Sequence, residues 1–160
     1  LSGETSVGKH PIRAVEIMDR IARRTEKELQ FKFIEKDRDG IQETLTRAVC
    51  ESAHELHASS IIVFTLTGSS AKRISKYRTN APIIAVTPNK EEIPRLNLYW
   101  GVLPYFIPHP KTTDFFLTET IGKIKRMIHI FKKGSIVIIV GGVPFNKPGH
   151  TNFMKIHEVE

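Results

Sequence analysis

The chain has 160 residues, 40% of them hydrophobic, enough for one cored domain or for one domain with an appendage. Lys and Arg number 24 against 17 Asp and Glu, a formal charge of +7 that admits nucleic acid, a membrane surface or small anionic ligands as partners. A single cysteine, Cys50, excludes an internal disulfide framework and suits the reducing cytoplasm, while no run reaches the ~18 apolar residues of a membrane span and no signal peptide is visible.

Along the chain, Ala14, Val15, Met18, Ile21, Ala22 and Leu29 recur at helical spacing and predict a helix from Pro11 to about Gln30. Pro11 fits its first turn, where a missing N–H is no loss. Lys32 to Gly40 is charged, ends in Asp39-Gly40 and reads as a linker. Ile41, Leu45, Ala48, Val49, Ser52 and Leu56 then form the inner stripe of a second helix, reaching about Ala58. Short apolar runs alternate with helical stretches after it: strand Ile61 to Thr65, helix Ser70 to Arg78, strand Pro82 to Thr87, helix Glu91 to Trp100. Val102 to Ile107 is a weaker strand interrupted by Pro104, and Thr112 to about Phe131 a long helix. Ile136 to Val140 is continuously apolar, as a central strand should be. Phe153 to Val159 alternates like a half-exposed edge strand.

Alternating strands and helices predict an α/β fold: a three-layer α/β/α sandwich on a mostly parallel five-stranded sheet, with an antiparallel last edge strand. In such sheets ligands bind beyond the carboxyl ends of the strands, where the strand order reverses. Two loops qualify by composition. In the first, strand Ile61 to Phe64 runs into Thr65-Leu66-Thr67-Gly68-Ser69-Ser70 and then into a helix. Free N–H groups at a helix start favour a phosphate, and these hydroxyls, with Lys72 and Arg73 nearby, add donors. The plainer reading is that Ser69 or Ser70 simply N-caps the helix. The second loop runs from Gly141 to Asn152 and offers glycines together with Lys147, His150, Thr151 and Asn152; the alternative is a long connection that only reverses the chain. If the strands bearing them are neighbours, both loops face one crevice.

Other patterns carry less. The basic residues are scattered, with no aromatic platforms between them for stacking bases, which disfavours nucleic acid. His54 and His57 are three apart, not the four a zinc helix needs, so no metal site is expected. Gly141-Gly142 follows a strand but lacks the spacing of a dinucleotide fingerprint. Cys50, beside Val49, reads as a small buried hydrophobe.

Several ordered motifs resemble those of pyruvate kinases, over nearly the whole chain. Leu1-Ser2-Gly3-Glu4-Thr5-Ser6-Val7-Gly8-Lys9-His10-Pro11 is similar to the family's L-S-G-E-T-A-x-G-x-Y-P segment, with Ser6 in place of Ala and His10 in place of Tyr. Thr65-Leu66-Thr67-Gly68-Ser69-Ser70-Ala71 resembles T-x-S-G-x-T/S-A, and Ala81-Pro82-Ile83-Ile84-Ala85-Val86-Thr87 resembles A-P-I-I-A-V-T. Phe131-Lys132-Lys133-Gly134-Ser135 resembles F/V-K-K-G-D, and Gly141-Gly142-Val143-Pro144 with Gly149-His150-Thr151-Asn152 resembles the bacterial A-G-V-P…G-T-T-N ending.

The resemblance implies a carboxyl-terminal regulatory domain at 41–160, a linker at 32–40 and, at 1–31, the last loop and helix of a (β/α)8 catalytic barrel. The parent enzyme transfers phosphoryl from phosphoenolpyruvate to ADP with Mg2+ and K+. Its catalytic residues lie outside this segment, so no catalytic residue, metal ligand or cofactor is expected here. What the resemblance does imply is a site for a phosphorylated effector, a sugar phosphate or nucleotide. Thr65, Thr67, Gly68, Ser69 and Ser70 would hold its phosphate, and Gly149, His150, Thr151 and Asn152 would close over it. Ser69 stands where Arg or Asn is common, so a hydroxyl replaces a guanidinium. The implied partners are the protein's own barrel and sister subunits in a cytoplasmic homotetramer. Alternatives are a stand-alone module for phosphorylated ligands or, less in keeping with the residues, a nucleic-acid-binding domain.

Overall fold

The three most apolar runs of the chain form the middle of one sheet. They are β1 (Ser60–Phe64), β2 (Ile83–Thr87) and β4 (Ile136–Gly141), and apart from half-buried Ile136 every residue in them is buried. Burial on both faces is what a central parallel strand requires. β3 (Val102–Phe106) and β5 (Phe153–Glu158) are the edges, in the order β3-β2-β1-β4-β5. The first four strands are parallel and β5 runs antiparallel to β4, as the sequence predicts. Pro104, which cannot donate to a ladder, lies on an edge, where its lack of an N–H does least harm.

This computed structural model describes residues 2–28, 40–108, 122, 131–143 and 151–159. Side chains alternate between two buried clusters. Ile61, Val63, Ile83, Ala85, Ile138 and Val140 face α3 (Ile41–Glu55), α4 (Ser69–Ser75) and α5 (Glu92–Leu96), which contribute Val49, Cys50, Ala53, Ala71, Ile74 and Leu96. Ile62, Phe64, Ile84, Val86, Val137 and Ile139 face the other way, into a second cluster with Ile107 and Val159. The long helix expected from Thr112 lies outside the described residues except for Gly122, which is helical, and Phe131, which packs on the second cluster.

Three helices are shorter than the periodicity predicts. α3 stops at Glu55, because His57 turns into the left-handed region at φ +48° and Ala58 bonds back to Ala53. α4 stops at Ser75, and Arg78 takes φ +52°. α5 is one turn and a half rather than ten residues. Its start is fixed by the Asn89 carboxamide oxygen, which accepts from the Glu91 N–H at 3.1 Å.

The chain divides into two units, Leu1–Lys32 and Phe33–Glu160. In the first, a short helix, α1 (Ser2–Ser6), precedes α2 (Pro11–Glu26), and sequence periodicity did not anticipate α1. The Ser6 and Thr5 hydroxyls donate to the Ser2 carbonyl. Gly8 makes the turn between the helices, where an added Cβ would strike the Glu4 carbonyl. Pro11 opens α2 as expected. The apolar stripe of α2, including Ile12, Val15, Met18 and Ile21, is exposed in this chain.

Burial has a consequence in alkali. Cys50 is wholly inaccessible, and desolvation, helped by Glu51 and Glu43, pushes its thiol up from 9.0 to about 12. Tyr77 is likewise pushed up to about 12, by desolvation first and then by its 2.8 Å hydrogen bond to Glu43. Both groups keep their protons in the folded state after the unfolded chain has lost them. Folding stability is therefore fully present below about pH 9 and falls as pH rises from there toward 12. Denaturant titrations from pH 7 to 11 should show this decline, and Cys50→Ala should make it shallower. An identical slope in the variant would show that Cys50 does not contribute.

Candidate functional site

The chain leaves β1 toward β2 and β3 on one side, then returns to place β4 on the other side of β1. β1 and β4 pair in parallel, Ser60 opposite Val137 and Val63 opposite Val140, so their carboxyl ends lie together. The loops that follow them therefore leave the same end of the sheet, and the strand order reverses there. This is where open α/β sheets hold ligands.

The first loop is built by β1 running out into α4. Thr65 is buried and still in the ladder, its N–H donating to Val86 O at 2.9 Å. Thr67 is exposed and donates to the Ser69 hydroxyl at 3.2 Å. Gly68 is the N-cap of α4, in the left-handed region at φ +74°. A Cβ there would lie 3.3 Å from Leu96 Cδ2 and 3.4 Å from Glu92 Oε2, so both backbone and space call for glycine. The simple capping role expected of Ser69 or Ser70 is not what the structure has. Both sit inside the first turn, and no side chain caps the helix. Lys72 N–H closes that turn on Gly68 O at 2.9 Å.

The second loop leaves β4 at Gly141 and re-enters the sheet at Phe153. Gly149 and His150 lie outside the described residues. Thr151 is brought to the first loop: its hydroxyl lies 2.5 Å from that of Ser70, across 81 positions of sequence. Asn152 is used differently. Its carboxamide accepts from Val143 N–H at 2.8 Å and donates to Val143 O at 2.9 Å, while its own N–H donates to Gly141 O at 3.1 Å. Asn152 thus closes the base of the second loop.

Two basic residues of this crossover rest on aromatic rings. Lys72 Nζ, in α4, stands 5.9 Å from the centre of the Tyr99 ring, and Arg78, beyond the end of α4 away from the loop, stacks on Trp100 at 5.0 Å. Sequence reasoning missed Glu92, whose carboxylate lies against Gly68 from a different crossover. The only hint in the sequence was an acidic residue in the first turn of a helix next to β2, a common position for stability alone.

The family described as pyruvate kinase, alpha/beta domain, matches this chain over residues 43–157. The chain belongs to that family. It is 36% identical to the pyruvate kinase of Clostridium acetobutylicum over all of its own length and 35% of that protein's. It is 37% identical to the Geobacillus stearothermophilus pyruvate kinase, covering 99% of this chain and 28% of the relative. It therefore spans about a third of the length of these relatives. Among solved structures, a pyruvate kinase from Cryptosporidium parvum superposes with a TM-score of 0.84 at 29% identity, over 100% of this chain and 32% of that one. The sheet order and the antiparallel last strand are thus those of a pyruvate kinase carboxyl-terminal domain.

Among the described residues, no cluster of three His, Cys, Asp or Glu side chains could hold a metal ion, and no helix is long and apolar enough to cross a membrane. The Ser70–Thr151 contact makes a direct prediction. Each alanine substitution should cost about 0.5–1.5 kcal/mol of folding stability, the usual worth of such a bond. In a double-mutant cycle by urea denaturation the two losses should not add, leaving a coupling of at least ~0.5 kcal/mol. Simple additivity would mean that the two loops are not joined in solution.

Proposed function

We propose that this chain is the regulatory and assembly domain of a pyruvate kinase, which transfers phosphoryl from phosphoenolpyruvate to ADP. Residues 41–160 bind a phosphorylated effector, a sugar phosphate or a nucleotide, and the domain has no turnover by itself. The observation that carries the reading is the Ser70–Thr151 contact at the β1–β4 boundary, which joins a hydroxyl-rich loop to the loop that follows β4. Thr65, Thr67, Gly68, Ser69 and Ser70 hold the phosphate through hydroxyls and first-turn N–H groups. Gly149, His150 and Thr151 close over the ligand, with Asn152 holding the base of their loop.

Residues 1–31 are, in this reading, the end of the catalytic barrel, and 32–40 are the linker. The exposed apolar stripe of α2 supports that assignment, since an apolar helix face needs a partner and the barrel supplies one. Sister subunits complete a homotetramer. β5 supports this as an edge strand with Ile156 half exposed, a surface open to a second copy. Mg2+ and K+ belong to the barrel, and the protein works in the cytoplasm, for which its one cysteine, buried and free, is the support.

The test is thermal stability of the chain against fructose 1,6-bisphosphate, ribose 5-phosphate, glucose 6-phosphate, AMP, ATP and inorganic phosphate. A ligand that binds only the folded state should add ~2.7 kcal/mol at about 100 times its dissociation constant. That gain should vanish in Thr65→Ala and in Ser69→Ala. No shift with any member of the panel would overturn the effector reading. Conversion of phosphoenolpyruvate and ADP to pyruvate by this chain alone would overturn the claim that it has no turnover.

A further inference from the structure

A carboxylate from another crossover lies beside the 65–70 loop. Glu92 opens α5, on the crossover between β2 and β3, and its Oε2 lies 3.4 Å from where a Cβ on Gly68 would stand. That oxygen is buried and has no hydrogen-bond partner among the described residues. Arg95 Nη1 is 3.9 Å away, an ion pair at its outer distance and too far to hydrogen-bond, and the Arg95 side chain is 59% exposed, so water and salt screen the pair. The Glu92 side chain as a whole is 18% exposed, so the carboxylate stands partly in water with one oxygen turned to the loop.

We propose that Glu92 is the affinity- and charge-selecting residue of the effector site: it opposes any anion on the 65–70 loop, so that a bare phosphate is held weakly. The inference rests on the phosphate reading given above. The physical term is Coulomb repulsion. A like charge at about 6 Å weakens binding by between roughly threefold and a hundredfold as the effective dielectric falls from that of water to that of a protein surface. A phosphate held only by the loop does not overcome this. A phosphate ester anchored at a second point, by a sugar or a base, does. Because the term is electrostatic, it grows with the charge on the phosphate and is absent for a neutral sugar.

The experiment is isothermal titration of the chain and its Glu92→Gln and Glu92→Asp variants with inorganic phosphate, ribose 5-phosphate and ribose. Glu92→Gln should tighten both phosphates at least threefold and leave ribose unbound. Glu92→Asp keeps the charge and should stay near the wild-type affinity. Equal affinities in wild type and Glu92→Gln would overturn the inference and leave the phosphate reading intact. Tightening by Glu92→Asp as strong as by Glu92→Gln would overturn it as well, since packing rather than charge would then be the cause. Repeating the comparison in an Arg95→Gln background separates charge from release of the arginine. A gain that disappears there would also overturn the inference. Phosphate binding by none of the three proteins, with all of them folded by circular dichroism, would instead bring down the phosphate reading and the inference with it.

Discussion

The parallel pairing of β1 with β4 is the constraint on which the rest of the structure depends. Five residues of β1 are buried on both faces, so this strand can only lie in the middle of the sheet. β2 takes one side of it, since a short crossover through α4 leads there. The most apolar strand that remains is β4, buried from Val137 onward, and it takes the other side. The reversal of strand order is therefore a consequence of where apolar side chains can be hidden. The switch point at the carboxyl ends of β1 and β4 comes with it.

What lies at this end of the sheet follows from the same arrangement. A strand that ends fully buried must leave the sheet through a turn whose polar groups find partners. Thr65 stays in the ladder, Thr67 bonds Ser69, and Ser70 meets Thr151. Gly68 is needed because α5 packs against that turn, with Leu96 on one side and Glu92 on the other. The same packing that buries Leu96 in the core thus brings a carboxylate to the loop. Core and site are not independent here: a change at Leu96 would move Glu92, and any ligand that touches the loop feels α5.

Strand existence, order of elements and the half-exposed edge at β5 were legible in the sequence, because each rests on local pattern. Continuous apolar runs mark central strands, and alternation marks β5. The loop at 65–70 was legible for the same reason, as a strand running into hydroxyls and a helix. Helix ends were less so. α5 keeps the composition of a helix as far as Trp100, and it stops at Leu96 because the chain must turn there to feed β3. α1 was hidden because five residues are too few to show a period. The expectation that Ser69 or Ser70 caps α4 failed by one position: the left-handed backbone needed at the N-cap selected Gly68 in preference to a hydroxyl.

Contacts between distant crossovers were out of reach of the sequence altogether. Ser70 and Thr151 are joined only because β1 and β4 are neighbours, and the chain order places two strands and their helices between them. Asn152 looks in sequence like one more donor on a glycine-rich loop, and in space it is a clamp that spends both ends of its carboxamide on Val143. Glu92 looks like an ordinary acidic residue at a helix start, and in space it faces the N-cap of another helix. A list of polar residues in two loops therefore overstates what is available to a ligand and omits what opposes it. The hydroxyls of the 65–70 loop supply attraction at short range, through donors that must be aimed. On the proposal made for Glu92, its carboxylate acts at longer range and needs no aim. If the loop holds a phosphate as proposed, selectivity there comes from the balance of the two terms, and a ligand with contacts beyond its phosphate is the one that tips it toward binding.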